Sequence, residues 1–299
     1  MKIFSGSSNK PLAEKVAHSL GLHLSPLEVH IFPDGERRVR VETDVLDEDI
    51  VVVQSTSTPV DQNYMELFFL VDAAKRNGAK SVTVVMPYVG YERQDHIFRS
   101  GEAVSLEVIS AIIEGLGVDK VIGLDVHTIK LPQQFTIEFE ELTALPLFAD
   151  YIRDIGPENG VLVSPDMGGI RRVKMLSDFL EGMPFVATRK DRDLESGSIE
   201  MSGIEGSIEQ GMKKAFIIDD MISSGKTAVE SVLLLKSHGI EEAYIFVTHP
   251  IFSQDAPEYL QNSPVKKIYV TDSVFVPKEK QFEKLQVIGV ADLIASVLH

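Results

Sequence analysis

The sequence contains no cysteine, and this absence excludes several kinds of site. Disulfide bonds, thiolate metal centres and cysteine nucleophiles all require a thiol that this chain lacks. Any metal ion must therefore be bound by oxygen atoms or by histidine. Long apolar runs are missing as well, because runs such as residues 50–53 and 82–86 have the length of a strand and not of a bilayer span. We therefore expect no membrane partner.

Basic residues are scarce relative to acidic ones. The 299 residues include 29 Lys and Arg against 45 Asp and Glu, which gives a formal net charge of -16. A surface of that sign repels the backbone of nucleic acids, so nucleic acid is not an expected partner. Phosphorylated metabolites can still bind where a few basic residues converge or where magnesium mediates the contact. The first ten residues lack the apolar segment of a signal peptide, and the expected location is the cytoplasm.

Short apolar runs alternate with longer amphipathic segments, which is typical of βαβ units around a mainly parallel sheet. The pattern predicts strands near residues 2–4, 38–42, 50–54, 81–86, 120–125, 160–164, 184–188, 215–219, 243–248, 267–271 and 285–289. Apolar residues at helical spacing predict two buried helix faces. They are Tyr64, Leu67, Phe68, Val71 and Ala74 on the first helix, and Val104, Val108, Ala111, Ile112 and Leu116 on the second.

Two segments, residues 75–87 and 236–250, share one arrangement in which a helix end, a glycine and a strand that stops at proline follow each other. This repetition favours two similar domains. We predict an α/β fold with a first domain over residues 1–145 and a second over residues 146–299, divided near Pro146.

The segment DDMISSGKT, residues 219–227, suggests three interpretations. A nucleotide-binding P-loop requires glycine five positions before Gly225, where this chain has Asp220, so the P-loop interpretation fails. A buried strand that ends in two acids and is followed by a small-residue turn and a helix can instead bind a sugar phosphate. The carboxylates then accept from sugar hydroxyls, and the helix N-terminus binds the phosphate. The alternative is a capped helix with a solvated Asp220.

Other polar residues also follow predicted strands, each with a structural alternative. Arg93 and Gln94 could bind phosphate or form a surface ion pair. His127 could bind a metal together with Asp166, which could equally cap a helix. FPDGE, residues 32–36, is typical of a β-turn. The charged stretch around Lys190 and Arg192 is, by itself, typical of a solvated loop.

Taken together, these segments resemble one enzyme family. DDMISSGKT resembles the phosphoribosyl diphosphate loop of type I phosphoribosyltransferases and of the ribose-phosphate diphosphokinases, also called phosphoribosyl diphosphate synthetases. Residues 31–41, 93–105, 124–128, 163–173 and 189–192 match motifs of the diphosphokinases in their order and spacing, so the resemblance covers nearly the whole chain. It implies two similar type I phosphoribosyltransferase-like domains, each a mainly parallel sheet flanked by helices. It also implies Mg²⁺-dependent transfer of the diphosphoryl group of ATP to ribose 5-phosphate.

The resemblance implies a role for each motif. Phe32, Asp34, Gly35 and Glu36 would contact the adenine of ATP from a neighbouring subunit of a homo-oligomer, while Arg93, Gln94 and His127 would contact ATP within the chain. His127 and Asp166 would contact the magnesium ion. Lys190 and Arg192 would be the catalytic residues of a flexible loop, with Arg192 also at the ribose 5-phosphate. Asp219 and Asp220 would bind the ribose, and Ser223, Ser224, Gly225, Lys226 and Thr227 its phosphate.

The chain departs from the family pattern in its phosphate loop, where Ser224 replaces the usual threonine and Lys226 the usual glycine. The sequence leaves open whether the Lys226 side chain points away or adds a charge to the phosphate site. The N-terminal motifs argue against a phosphoribosyltransferase. The presence of His127, Asp166, Lys190 and Arg192 argues against a noncatalytic regulatory relative.

Overall fold

Alternating strands and helices form both halves of the chain, which confirms the predicted α/β class. The computed structural model describes residues 1–192, 199–253 and 255–298, with side chains described outside residues 190–202. The chain clusters into two units. Unit 1 comprises Met1–Leu142, Ser273–Phe275 and Gly289–His299, and unit 2 comprises Thr143–Asp272 and Val276–Ile288. Residues 289–299, which the sequence assigned to the second domain, thus cluster with unit 1, and the division into functional domains at residue 145 stays a prediction.

Unit 1 is built on a parallel sheet. Its elements are β1 (Lys2–Ser5), α1 (Lys10–Ser19), β2 (Leu27–Ile31), β3 (Arg37–Val41), β4 (Asp49–Val53), α2 (Val60–Arg76), β5 (Ser81–Met86), α3 (Ser105–Gly115), β6 (Lys120–Leu124) and β7 (Glu138–Leu142). The strand order is β1-β4-β5-β6-β7, with every neighbouring pair parallel. Strands β2 and β3 form a separate antiparallel hairpin.

Unit 2 is built on a second, mainly parallel sheet. Its elements are α4 (Leu145–Ile155), β8 (Gly160–Ser164), α5 (Ile170–Phe179), β9 (Phe185–Arg192), β10 (Ile199–Glu205), β11 (Lys214–Ile222), α6 (Lys226–Ser237), β12 (Glu242–Pro250), α7 (Ala256–Gln261), β13 (Lys267–Thr271) and β14 (Leu285–Ile288). The strand order is β10-β9-β8-β11-β12-β13-β14, and β10 alone among the described strands of this sheet runs antiparallel to its neighbour. The last helix, α8 (Ala291–Ala295), belongs to unit 1.

Both units follow the same topology. Strands β8, β11, β12, β13 and β14 repeat the order of β1, β4, β5, β6 and β7, and helices α5, α6 and α7 occupy the chain positions of α1, α2 and α3. Each unit has a hairpin between the first and second of these five strands, β2–β3 in unit 1 and β9–β10 in unit 2. In unit 2 the hairpin strand β9 pairs with β8, whereas in unit 1 a single parallel bridge joins Ile3 to Leu24. The repeated order supports the prediction of two similar domains.

The predicted strands are all present, but the sequence missed β2, β7 and β10. Strand β7 has the sequence EFEEL and lies at the edge of its sheet, where acidic side chains can face solvent. Strand β2 belongs to the exposed hairpin and has no fully buried residue. Hydrophobic runs identify central strands better than edge strands, because only central strands bury both faces.

The two predicted helix faces had opposite outcomes. The apolar face of α2 is buried as predicted, with Tyr64, Leu67 and Val71 in the core of unit 1. The face predicted for α3 is wrong: Val108 is 53% exposed and Ile112 is 40% exposed, while Leu106 and Ile113 are buried. Apolar residues occur on both sides of α3, so their spacing alone did not distinguish the buried face.

The core of each unit lies between its sheet and its helices. In unit 2, for example, Ile217 and Ile245 of the sheet pack with Val232 of α6. Within the described residues, no helix has the length and apolar character needed to cross a membrane. The cytoplasmic location stays a prediction.

Candidate active site

The strands β8 and β11 separate at their carboxyl ends. Their pairing ends at Val163 and Ile217, whereas β11 continues beside β12 to Ile222. The chain continues from β8 to β9 on one side of β8, and β11 lies on the other side of β8. Ligands of α/β proteins bind in the crevice where the strand order reverses in this way. The predicted acids and the predicted phosphate turn follow this point of β11.

An arginine holds the two acids of β11. Asp220 is buried and Asp219 is partly exposed, with side chains 5% and 26% exposed. Nη1 of Arg172, in the first turn of α5, lies 3.6 Å from Oδ1 of Asp220 and 3.8 Å from Oδ1 of Asp219. Two adjacent carboxylates repel each other, and the guanidinium offsets part of that repulsion. The structure therefore rules out the interpretation of Asp220 as merely solvated.

A third carboxylate, that of Asp166, lies in the turn between β8 and α5. Its Oδ1 accepts from the backbone N–H of Gly168 at 3.0 Å and of Gly169 at 3.2 Å, which stabilises the turn before α5. The N-cap of α5 is Gly169, without a side-chain hydrogen bond, so the structural alternative of Asp166 as a helix N-cap is wrong. Burial raises the pKa of Asp219 well above its usual range, with Asp220 and Asp166 adding to the effect and Arg172 opposing it. Asp166 is thus close enough to Asp219 to act on its charge.

This donor set fits magnesium. Mg²⁺ prefers carboxylate oxygens and is commonly held by one or two of them, with substrate phosphates and water completing the coordination. Among the residues with described side chains, no group of three or more His, Asp and Glu could hold a metal ion alone. A site completed by substrate phosphates remains compatible with Asp166, Asp219 and Asp220. The other predicted metal contact, His127, belongs to unit 1.

The turn after β11 leads into an open helix N-terminus. Gly225 has φ of +77°, and a Cβ at this position would lie 2.7 Å from Leu260 Cδ2, so only glycine fits. Gly225 is the N-cap of α6 and provides no side-chain hydrogen bond to the first turn. The first N–H groups of a helix lack intrahelical partners and carry partial positive charge, which suits them to a phosphate.

Lys226 is the first residue of α6, and its side chain is exposed. Its backbone N–H donates to Ser224 Oγ at 3.4 Å. The position tolerates a side chain because Lys226 lies on the helix surface, whereas the steric restriction applies to Gly225. The exposed position shows that the lysine fits at the start of α6, and its contribution to phosphate binding stays a prediction.

The residue that follows β4 in unit 1, Gln54, contacts the turn that follows β1. Oε1 of Gln54 accepts from N–H and Oγ of Ser8 at 3.2 and 2.7 Å, and a Cβ on Gly6 would collide with this amide. Oε1 of Glu66 accepts from the N–H of Ser7. Gln54 and Glu66 are 1% and 2% exposed. The N–H groups of Ser7 and Ser8, in the turn after β1, are therefore engaged by side chains of the same unit.

Unit 1 instead presents polar residues at the carboxyl ends of β5 and β6. Arg93 and Gln94 lie in the segment after β5, and His127 follows β6. All three side chains are exposed. The strands β5 and β6 are parallel neighbours, so their carboxyl ends lie at the same edge of the sheet. A buried carboxylate, Glu92, joins the two segments by accepting from the backbone N–H of His127.

The FPDGE segment forms the predicted turn at the tip of the β2–β3 hairpin. The N–H of Phe32 donates to Glu36 O at 2.8 Å, and Gly35 has φ of +92°. The N–H of Glu36 donates to Asp34 Oδ1 at 3.2 Å. The residues from Phe32 to Glu36 are all exposed, which leaves them available to a ligand or a second subunit.

The sequence predicts a loop at Lys190 and Arg192, but the structure has the backbone of both residues in strand β9, paired with β10. Their side chains lie outside the described part of the structure. Their roles stay predictions. Sequence reasoning missed Arg172 and Glu92. Arg172 lies in the first turn of α5, shortly after Asp166 in the sequence. This proximity to a predicted metal contact could have identified it. Glu92 gave no such signal beyond its position before Arg93.

Comparison with known proteins identifies the family. Residues 1–117 match the family model described as the N-terminal domain of ribose phosphate pyrophosphokinase, and residues 203–299 match the phosphoribosyl synthetase-associated domain. The chain is 37% identical to ribose-phosphate pyrophosphokinase 1 of Streptococcus pyogenes serotype M3, over 100% of this chain and 93% of that protein. The ribose-phosphate pyrophosphokinase of Corynebacterium ammoniagenes gives the same identity and coverage.

A solved structure agrees with these relatives. The crystal structure of phosphoribosylpyrophosphate synthetase from Mycobacterium smegmatis matches with a TM-score of 0.92 and 30% sequence identity, covering 99% of this chain and 97% of that one. Sequence and fold therefore agree along the whole length, and the resemblance predicted from the motifs is confirmed. The chain belongs to the ribose-phosphate pyrophosphokinase family.

Proposed function

We propose that the protein transfers the diphosphoryl group of ATP to the C1 hydroxyl of ribose 5-phosphate, which yields 5-phosphoribosyl 1-diphosphate and AMP. One observation carries the proposal: the pair Asp219–Asp220, held by Arg172, stands directly before the open N-terminus of α6. This arrangement suits a sugar that carries both hydroxyls and a phosphate. The names of the full-length relatives, ribose-phosphate pyrophosphokinase, support the same reaction.

Unit 2 provides the binding groups for ribose 5-phosphate. The 5-phosphate accepts hydrogen bonds from Ser223 to Thr227 at the start of α6, and the carboxylates of Asp219 and Asp220 accept from the ribose hydroxyls. Arg172 keeps the two carboxylates oriented and limits their repulsion. The sugar is thereby fixed at two ends, which orients its C1 hydroxyl for the reaction.

Magnesium is the proposed cofactor, bound through Asp166 and the acid pair on the ribose side and through His127 on the ATP side. When bound, it neutralises charge on the phosphates of ATP and of the transferring group. The protein's own contribution is to place carboxylate oxygens where a divalent cation relieves their mutual repulsion. Arg93 and Gln94 orient ATP through their exposed donors.

The C1 hydroxyl attacks the β-phosphorus in line and AMP departs, so a covalent enzyme intermediate is not required. Lys190 and Arg192 stabilise charge on the transferring group. Exclusion of water from the triphosphate would prevent hydrolysis, which competes with attack by the ribose hydroxyl.

The proposed function is tested by incubating the purified protein with ATP, ribose 5-phosphate and Mg²⁺ and measuring AMP in a coupled assay. We expect AMP and 5-phosphoribosyl 1-diphosphate in equal amounts, the latter identified by ³¹P NMR. Omission of ribose 5-phosphate controls for simple hydrolysis of ATP. Folded protein without turnover would refute the proposal, and consumption of 5-phosphoribosyl 1-diphosphate with a nucleobase would point to a phosphoribosyltransferase.

Lys226 is expected to strengthen phosphate binding. Lys226→Met keeps the length of the side chain but removes a charge beside the N-terminus of α6, and we expect the KM for ribose 5-phosphate to rise about fivefold, as for a partly exposed ion pair of about 1 kcal/mol. The KM for ATP should not change. The difference from wild type should shrink at high salt. The control is Lys236→Met at the other end of the same helix, and equal KM values for the two variants would remove Lys226 from the site.

We further propose that the protein is a homo-oligomer in which the Phe32–Glu36 turn completes the ATP site of a neighbouring subunit. The exposure of this turn at the tip of a hairpin supports the proposal. Phe32→Ala and Arg93→Ala should each lower activity when assayed alone. Mixed oligomers should regain activity, because some sites then combine an intact Phe32 from one subunit with an intact Arg93 from another. Mixtures that show only the sum of the separate activities would place both residues in one subunit's site.

A further inference from the structure

Glu92 is a buried carboxylate next to residues proposed to bind ATP. It directly precedes Arg93 in the segment between β5 and α3, and its side chain is 2% exposed. Its Oε2 accepts from the backbone N–H of His127, which follows β6. The acceptor for the backbone N–H of the neighbouring segment is thus a buried side-chain carboxyl oxygen. An apolar residue of similar size would fill the same space without this contact.

The segment that carries Glu92 is itself anchored. The hydroxyl of Tyr64 donates to Gly90 O at 2.8 Å, and the N–H of Gly90 donates to Thr56 Oγ1 at 2.7 Å. A Cβ on Gly90 would lie 2.6 Å from Thr56 O, so the backbone packs here without room for displacement. Glu92 therefore extends from a fixed position.

A second carboxylate of the same segment, that of Asp95, contacts the side chain of Thr128, the residue after His127. Asp95 Oδ2 accepts from Thr128 Oγ1 at 2.8 Å, and Thr128 Oγ1 in turn accepts from the N–H of Lys130 at 3.2 Å. The side chains of Arg93 and His127 remain exposed on either side of the Glu92 contact. The backbone of residues 127 and 128 is thus held while the imidazole faces outward.

We propose that Glu92 is a positioning residue that fixes His127 relative to Arg93 and Gln94 for binding of the nucleotide. The inference rests on the proposed function, in which these three residues contact ATP. A hydrogen bond is stronger where water is excluded, and Glu92 is 2% exposed. A small displacement of a group that binds the substrate lowers the reaction rate by a large factor, so a fixed backbone at His127 should increase the rate.

The test compares Glu92→Ala, which removes the acceptor, with Glu92→Gln, which keeps an acceptor oxygen at the same length. Glu92→Ala should lower kcat/KM for ATP about 10- to 100-fold, while the KM for ribose 5-phosphate stays within about twofold of wild type. Glu92→Gln should restore most of the loss. In protein labelled with ¹⁵N-histidine, the amide proton of His127 should lie downfield in wild type and move upfield in Glu92→Ala.

The matched control is Glu114→Ala, because Glu114 of α3 also accepts backbone N–H groups in unit 1, those of Thr136 and Ile137. It should leave both KM values unchanged. Equal losses for both substrates in Glu92→Ala, or no loss, would overturn the inference, as would a Glu92→Gln variant as impaired as Glu92→Ala. If Glu92→Ala does not fold, Glu92→Asp withdraws the acceptor by one methylene and must show the ATP-specific loss. Wild type without turnover would refute the proposed function, while the amide shift would still test the Glu92 contact.

Discussion

We expect Arg172→Ala to lower the free energy of unfolding by about 2–3 kcal/mol and to abolish measurable binding of ribose 5-phosphate. Arg172 is 15% exposed and lies within 4 Å of both Asp219 and the buried Asp220. Removing one partner of a buried ion pair leaves the other charge uncompensated, which costs about 3–5 kcal/mol at full burial and less here because Arg172 retains some exposure. Urea unfolding followed by circular dichroism and calorimetric titration with ribose 5-phosphate would measure the two effects.

The neighbouring arginine provides the control for this prediction. Arg171 precedes Arg172 in α5 but is exposed, so Arg171→Ala should change neither stability nor binding. If the two variants were equally stable and bound the substrate equally well, Arg172 would not be needed to hold the acid pair.

Lys190→Ala is expected to lower kcat by about 10²- to 10³-fold, the range observed when one preorganised donor to a developing negative charge is removed. The prediction rests on the match of residues 189–192 to the family motif and on the charge that accumulates on the transferring group. Stability and both KM values should stay close to wild type, because the stretch around the residue is charged and polar.

Lys213→Ala is the matched control, since Lys213 forms an exposed ion pair with Glu241 whose loss should cost little. If the Lys190→Ala variant kept the wild-type kcat, Lys190 would have no catalytic role. A large fall in stability would instead indicate a structural role for Lys190.

The central part of the fold could be predicted from the sequence because buried parallel strands are apolar along their whole length. Strands such as β5 and β8 were therefore located to the residue. The acid-rich β7 was not, because an edge strand tolerates charge. The buried face of α3 was wrong for a different reason, since Val108 and Ile113 are equally apolar and only tertiary packing decides which is exposed.

The candidate site shows the same limit. Asp219 and Asp220 were predicted because their position after an apolar strand is visible in the sequence. Arg172 and Glu92 were missed because they act through contacts between segments distant in sequence, 47 positions in one case (219 minus 172) and 35 in the other. Such contacts depend on strand order and register, which local patterns do not encode. Lys226 is the reverse case: the sequence shows its departure from the family pattern, and the structure adds only that its side chain is exposed.

Two buried side chains of unit 1, Gln54 and Glu66, accept from the N–H groups of the turn after β1. By the shared strand order, this turn corresponds in unit 2 to the turn after β8, which carries Asp166. A ligand could reach the N–H groups of Ser7 and Ser8 only by displacing both side chains, so the common architecture does not make the two units equivalent as binding sites. Under the proposed function the carboxyl ends of β5 and β6 serve ATP, and one repeated strand order is then sufficient for two unlike substrates.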